Sequence, residues 1–260
     1  MIRFWRPVGT LWWREIIRFV RQRSRLFGAF AQPLVFWVLL GGGMNSSFRP
    51  APGAGGASYI EYFFPGVMIM VLLFTAIFAT ISTVEDRREG FLQGVLVAPV
   101  SRLQIVLGQA LGGTTLALIQ GAIFLCLAPL AGIHLGIGAA LAAIVVMFLI
   151  GFALTSLGLV IAWKMESTQG FHAIMNLILL PIWFLSGAVF PLAGVPRPLA
   201  WVMRLNPLTY GMAALRRALY AGDAAAVSAL PPWPPALLVT LLFAAGAFAA
   251  ATAMARRATA

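Results

Sequence analysis

The sequence predicts an all-α integral membrane protein with six transmembrane helices, and three observations carry that prediction. Hydrophobic residues make up 61% of the chain and charged residues only 10%, against about 45–50% and about 25% in soluble domains. The mean hydropathy is +0.94. The apolar residues fall into runs long enough for the ~20-residue helix that a bilayer requires. In 260 residues there is room for six such runs with short connections, and none for an added soluble domain.

The runs follow in order. Residues 5–25 come first and have a helical period: at 100° per residue Trp5, Val8, Trp12, Ile16, Phe19 and Val20 share one side, and Arg14, Arg18, Arg21 and Arg25 the other. Such a two-faced, Arg-rich stretch is an interfacial amphipathic helix, with Pro7 tolerated in its first turn. Arg23 falls on the apolar side, so it must snorkel or mark the bend into the membrane. Residues 1–25 are therefore an interfacial segment and residues 26–260 a transmembrane domain, with the N-terminus retained because no A-x-A-like cleavage site closes the first apolar run.

The spans are placed at 26–44, 62–84, 105–130, 137–163, 171–190 and 236–255, with a Gly/Pro/Ser loop after the first and a kink expected at Pro181 in the fifth. Residues 191–235 are too rich in Pro and too interrupted for a span. Within them residues 201–220 are read as short amphipathic helices lying in, or re-entering, the outer leaflet. Cys126 lies inside an apolar run, where a small buried thiol is expected; as the single cysteine it permits no disulfide within the chain.

The formal charge of +11 does not make a nucleic-acid patch, because the basic residues sit beside apolar runs. With this topology thirteen of the eighteen Lys and Arg fall on one side, and Arg49, Arg197, Arg204, Arg216 and Arg217 on the other. The positive-inside rule then places both termini in the cytoplasm, in a cytoplasmic or inner membrane.

Chemistry is sparse. Glu15, Glu61, Glu85, Asp86, Glu89, Glu166 and Asp223 all lie in loops or at span ends, so the spans hold almost no ionisable group to handle a coupling ion. No G-x-x-x-x-G-K-[ST] loop is present to cradle phosphates, so any ATP, with its Mg, is expected on another polypeptide and no cofactor on this one. His134 and His172 lack companions at metal-ligand spacing, so no metal site is expected, and G-x-S-x-G is absent. Gln32, Gln109, Gln120, Ser156, Asn176 and Ser186 are the polar groups in or near the spans. Interhelical hydrogen bonding is their default use; Gln32, Asn176 and Ser186 are the candidates for a substrate path. Gly108, Gly112 and Gly113 permit close helix approach by the same principle. Residues 85–102 read EDRREGFLQGVLVAPVSR: a charged turn, then Phe91, Leu92, Val95 and Leu96 as an apolar stripe that would dock on a partner or rest on lipid.

That segment, continuing through LQIVLGQ, strongly resembles the stretch after the second span of type-2 ABC exporter permeases, the ABC-2 family, of the drug and nodulation-factor branch. Glu85, Glu89, Gly90, Leu92, Leu96, Pro99, Ser101 and Arg102 match, while Phe91 and Gln93 replace the usual Thr and Glu. The stretch NPLTYGMAALRRAL at 206–219 is similar to the family's element between the fifth and sixth spans, and the N-terminus looks like the family's interfacial helix. The resemblance implies a permease that pairs with a second copy of itself or a related permease, and that seats a coupling helix in a separate ATP-binding subunit. On that reading Glu85, Asp86, Arg87, Glu89, Gly90, Phe91, Leu92, Pro99 and Arg102 carry the coupling, and Arg14, Glu15, Arg18 and Arg21 belong to the interfacial helix. Asn206, Pro207, Tyr210 and Arg216 would form an outer gate, and two copies would enclose the path between their first and fifth spans. The expected function is export of an amphipathic or lipid-linked molecule, with no enzymatic activity in this chain. A membrane scaffold that docks an ATPase without a transport cycle is the alternative, and a lipid-modifying enzyme would need clustered acids or His that are not there.

Overall fold

The computed structural model describes residues 2–44, 58–192 and 194–257; Arg49 and most of the loop after the first span lie outside the described residues, as do the side chains of Arg25 and Leu96. Among the described residues there is no strand. The elements are α1 Ile2–Arg21, α2 Arg23–Met44, α3 Tyr59–Arg88, α4 Phe91–Val97, α5 Arg102–Leu125, α6 Ile137–Ala162, α7 Thr168–Trp183, α8 Arg197–Leu205, α9 Pro207–Leu219, α10 Ala224–Val227 and α11 Trp233–Arg257. Six of them, α2, α3, α5, α6, α7 and α11, are long and apolar enough to cross a membrane.

Helix α3 is the spine. It is apolar all round, as a helix with no lipid-facing side must be, and its most apolar window is 94% buried under α2, α5, α6, α7 and α9. Its 30 residues measure about 45 Å at 1.5 Å per residue, longer than a ~30 Å hydrocarbon core, so its charged end projects beyond the apolar bundle. The outer helices keep exposed apolar rims instead: Phe27, Val38 and Leu39 on α2, Leu141 and Val145 on α6, Leu241 and Leu242 on α11. Such rims belong in hydrocarbon. Close approach inside the bundle uses small residues; a Cβ on Gly113 of α5 would stand 2.6 Å from Thr155 of α6.

The bundle has a basic end, carrying α1, α4 and the C-terminus of α11, and a far end carrying α8–α10. At the far end α8 and α9 form a helical pair joined through Asn206. Helix α8 buries only Met203 and exposes Trp201 and Leu205, whereas α9 is buried over most of its length. Gly211 of α9 reaches Ile150, midway along α6, and Thr240 of α11. Its Gly, Ala and Thr face fits between helices where larger side chains would not.

Several boundaries differ from those the sequence predicts. The third span stops at Leu125, followed by a 3₁₀ turn at Ala128–Ala131. Cys126 at that corner is exposed rather than buried, because the run it sits in turns outward at the bundle's edge. In the fifth span the break comes not at Pro181 but after Trp183, where a π-helical segment Phe184–Ala188 contains Gly187 at φ 84°, a left-handed conformation that glycine adopts without a Cβ clash.

The largest revision concerns α1. The predicted apolar face divides: Val8 and Phe19 are buried in protein while Trp5 and Val20 are each 55% exposed. Helix α1 lies along α5, with Phe4 beside Gln104, Val8 and Leu11 on Gly108, Glu15 on Gly112, and Trp12 Nε1 donating to Thr115 Oγ1 at 3.0 Å. A Cβ on Gly108 would come within 2.8 Å of Leu11 Cβ, and one on Gly112 within 2.7 Å of Glu15 Cβ. The Gly-x-x-x-Gly spacing on α5 is therefore the seat of α1. Apolar periodicity cannot distinguish a helix face that meets lipid from one that meets another helix.

Candidate functional site

At the basic end the last turns of α3 meet α1 in a charged junction. Arg14 donates from Nη1 and Nη2 to the Asp86 carboxylate at 2.7 and 2.6 Å, and Arg18 donates to Asp86 and, at 2.8 Å, to Glu85. Asp86 is 1% exposed, and a charge buried so deeply is tolerable only when paired and hydrogen-bonded. Glu15 accepts from Ser82 Oγ at 2.7 Å and from Arg14 at 3.3 Å. Burial pushes the Glu15 carboxyl up to about 6 and the nearby Asp86 adds to this, while Ser82, Arg14 and Arg18 act the other way. Arg21 is exposed beyond this junction.

The junction extends to α4. Glu89 and Gly90 turn the chain from α3, with Gly90 at φ 78°, the left-handed position that explains a Gly here. The Arg14 guanidinium covers the Phe91 ring at 3.8 Å. Arg87 donates to the Trp163 carbonyl at the end of α6 and faces its indole. Leu92 is buried among Ile105, Val106, Leu159, Trp163, Ala251 and Ala255, so the predicted stripe does not form one outward face: Leu92 packs inward, and Phe91, Gln93, Gly94 and Val97 are exposed. After the exposed Pro99, Ser101 caps α5 in a reciprocal capping box with Gln104, which gives the Pro-x-Ser-Arg element a local reason. Arg102 opens α5, its Nη1 buried without a partner. Between α1 and α4 runs a groove of about 630 Å³ floored by Leu11, Phe91, Val95 and Val100 and edged by Arg6 and Arg14.

At the far end Asn206 caps α9, accepting from Leu208 N–H at 3.0 Å, and its Nδ2 donates to the Ile182 carbonyl at 2.7 Å. Pro207 holds the first helical position, where its missing N–H costs nothing. Tyr210 is half-buried. Arg216 is 7% exposed, donates to the Gly187 carbonyl at 2.9 Å and the Tyr62 carbonyl at 3.2 Å, and stacks on the Tyr62 ring at 4.0 Å. Gln32 on α2 and Asn176 on α7 are exposed, while Ser186 is buried and donates to the Trp183 carbonyl at 2.6 Å. Among the other span polar groups Gln120 accepts from Thr75 of α3, an interhelical bond of the expected kind, but Gln109 Oε1 and Ser156 Oγ have no partner. Among the described residues no group of His, Cys, Asp and Glu is arranged to hold a metal ion.

Residues 6–220, from α1 through α9, match the family model described as ABC-2 type transporter. The chain belongs to the ABC-2 type transporter family. This permease is 28% identical over 212 residues to the transport permease ycf38 of Cyanophora paradoxa, covering 78% of this chain and 70% of that one. It is 30% identical over 218 residues to Nodulation protein J of Rhizobium leguminosarum bv. trifolii, covering 81% and 82%, and 28% identical over 207 residues to that of Rhizobium meliloti, covering 74% and 73%.

Sequence reasoning brought Arg14, Glu15 and Arg18 to one segment and Glu85 and Asp86 to another, and the fold joins the two. It did not mark Ser82, Trp163, Tyr62 or Thr209, whose parts depend on what lies opposite them. The available signals were the Gly108–Gly112 spacing and a glutamate placed in an otherwise apolar helix face.

Proposed function

We propose that this chain is the permease subunit of an ATP-driven exporter that moves an amphipathic or lipid-linked molecule out of the cytoplasm or inner leaflet, powered by a separate ATP-binding subunit that holds ATP and Mg. The observation that carries the reading is the junction of α1, α3 and α4. A helix of 7 residues is too short to hold a shape alone, yet here it is braced by Leu92 beneath and Arg14 above. A push on its exposed Phe91, Gln93 and Val97 side passes to α3 through Gly90, to α5 through Ser101, and to α1 through Arg14. Because α1 runs into α2, the first span turns with it.

In this reading the basic end is cytoplasmic, both termini lie there, and the protein sits in the cytoplasmic membrane. Two copies face each other through α2 and α7, whose exposed apolar sides also carry Gln32 and Asn176, so the cargo path has a few polar groups in an otherwise apolar wall. The pair of α8 and α9 closes the path on the outside. Among relatives, one carries the name of a transport permease, which supports a transport role.

The test is co-reconstitution with the partner ATPase in liposomes. Charge reversal at the exposed Glu89 or aspartate at Val97 is expected to abolish ATP-dependent transport and weaken co-purification of the ATPase. Full transport by both variants would remove the coupling role from α4.

A further inference from the structure

At and beyond the break in α7, four carbonyls are met by side chains from α9 and α3. Asn206 Nδ2 donates to the Ile182 carbonyl at 2.7 Å, Thr209 Oγ1 to the Leu185 carbonyl at 3.3 Å, and Arg216 Nη2 to the Gly187 carbonyl at 2.9 Å. From α3, Tyr62 donates its hydroxyl to the same Gly187 carbonyl at 3.0 Å, and Tyr59 to the Val189 carbonyl at 3.2 Å. Asn206, Thr209 and Arg216 recur at helical spacing and lie on one face of α9. The one Thr209 hydroxyl proton is shared between the Leu185 carbonyl and the nearer Met203 carbonyl at 2.6 Å, which ties α8 to the same row. Among the described residues no carboxylate forms an ion pair with Arg216; its buried charge is held by carbonyls and the Tyr62 ring.

We propose that the Asn206, Thr209 and Arg216 face of α9 is a latch that holds the broken end of α7 shut, with Gly187 as the hinge that swings when the latch releases. The proposal rests on the outer-gate reading and deepens it: it names the bonds that keep the gate closed and assigns Thr209, Tyr62 and Gly187 parts in it. Buried carbonyls of a broken helix must find donors. In the closed state side chains supply donors to Ile182, Leu185, Gly187 and Val189, each bond of modest strength, so the row is secure at rest and separable by a driven motion of α7. A continuous α-helix through residues 184–188 would turn these carbonyls onto its own N–H groups, so break and donor row belong together.

The experiment uses the permease–ATPase complex in liposomes with Cys126→Ser as background and Ser186→Cys as reporter. Ser186 is buried beside the break, 1% exposed, and its modification by a membrane-impermeant methanethiosulfonate reagent reads the open latch. Asn206→Asp keeps the cap on α9, since a carboxylate still accepts from Leu208 N–H, but removes the donor to Ile182; Thr209→Val removes a hydroxyl at nearly constant shape. Each is expected to raise the modification rate without ATP by about tenfold, the population shift corresponding to one net hydrogen bond, and Thr209→Ser is expected to bring it back. ATP turnover is expected to raise the rate in the background protein. If Asn206→Asp prevents assembly, Thr209→Val carries the test alone. Unchanged rates in the latch variants, even with lowered melting temperature, would show a purely structural row and overturn the proposal. Tyr210→Cys in the same background separates the two levels: if its reactivity changes on turnover while that of Ser186→Cys does not, the gate stands and the latch falls. If neither changes, both fall.

Discussion

Replacing Asp86 by Ala tests the junction at its centre. The carboxylate is 2% exposed and accepts from both Arg14 and Arg18, whose side chains are 28% and 17% exposed. Removing it leaves two guanidinium groups short of a partner, although Arg18 keeps Glu85 and Arg14 keeps Glu15 and the Phe91 ring. Breaking a buried pair costs about 3–5 kcal/mol; with those fallbacks and partial solvent access the low end applies, about 3 kcal/mol. For a domain of this size each kcal/mol corresponds to about 2–4 °C, so thermal melting of the permease in nanodiscs should fall by about 6–12 °C. Arg14→Ala leaves Asp86 with Arg18 and should cost less than Asp86→Ala. The Arg14→Ala, Asp86→Ala double variant should cost clearly less than the two single losses together, since contacting partners are not additive. A melting temperature for Asp86→Ala within about 1 °C of the parent, against that expected fall, or strict additivity in the double variant, would show that the Arg14–Asp86–Arg18 junction does not hold α1 to α3.

Three further outcomes follow from other parts of the molecule. Gly112→Ala places a Cβ 2.7 Å from that of Glu15 and should lower stability by about 1–3 kcal/mol through overpacking, with new protease cleavage in α1, while a matched Gly94→Ala on exposed α4 should do neither. Glu15 has a carboxyl pKa raised from 4.5 to about 6, so the stabilisation from its protonated form is full below the unfolded pKa and lost as pH rises through the folded one. Glu15→Gln should therefore stabilise the protein at pH above 7 by about 2 kcal/mol and flatten the melting profile between those two pKa values, a change read by melting across pH. Gly187→Ala puts a Cβ on a left-handed residue and should cost about 1–2 kcal/mol while slowing transport, read by cargo flux per ATP hydrolysed.

The six spans were legible because a bilayer demands long apolar helices and nothing else in the chain competes with them. The amphipathic character of α1 was legible too, but the side that packs was not: Trp5 and Val20 are as apolar as Val8 and Phe19, and only the glycines of α5 opposite decide which are buried. The ties of Arg14 and Arg18 to Asp86 span 72 and 68 positions, and no local pattern encodes such a pairing. The family-like segment 206–219 announced itself as a motif, yet its physical sense appears only beside α7, whose break falls at Gly187 rather than at the proline that periodicity marks. The stretch that holds α9 looked too rich in Pro and too interrupted for a span, and its small residues are what admit it to the bundle. Cys126 faces outward because the helix it follows ends earlier than hydropathy suggests.

On the proposed function, cargo moves only when a nucleotide-driven partner pushes on α4. Purified permease and ATPase should be placed together in liposomes, and flux of a fluorescent amphipathic probe measured with ATP, without ATP, and with an imposed proton or sodium gradient. Flux that requires both proteins and ATP, and vanishes with Val97→Asp, is the predicted result. Flux through the permease alone, driven by the ion gradient, would contradict it.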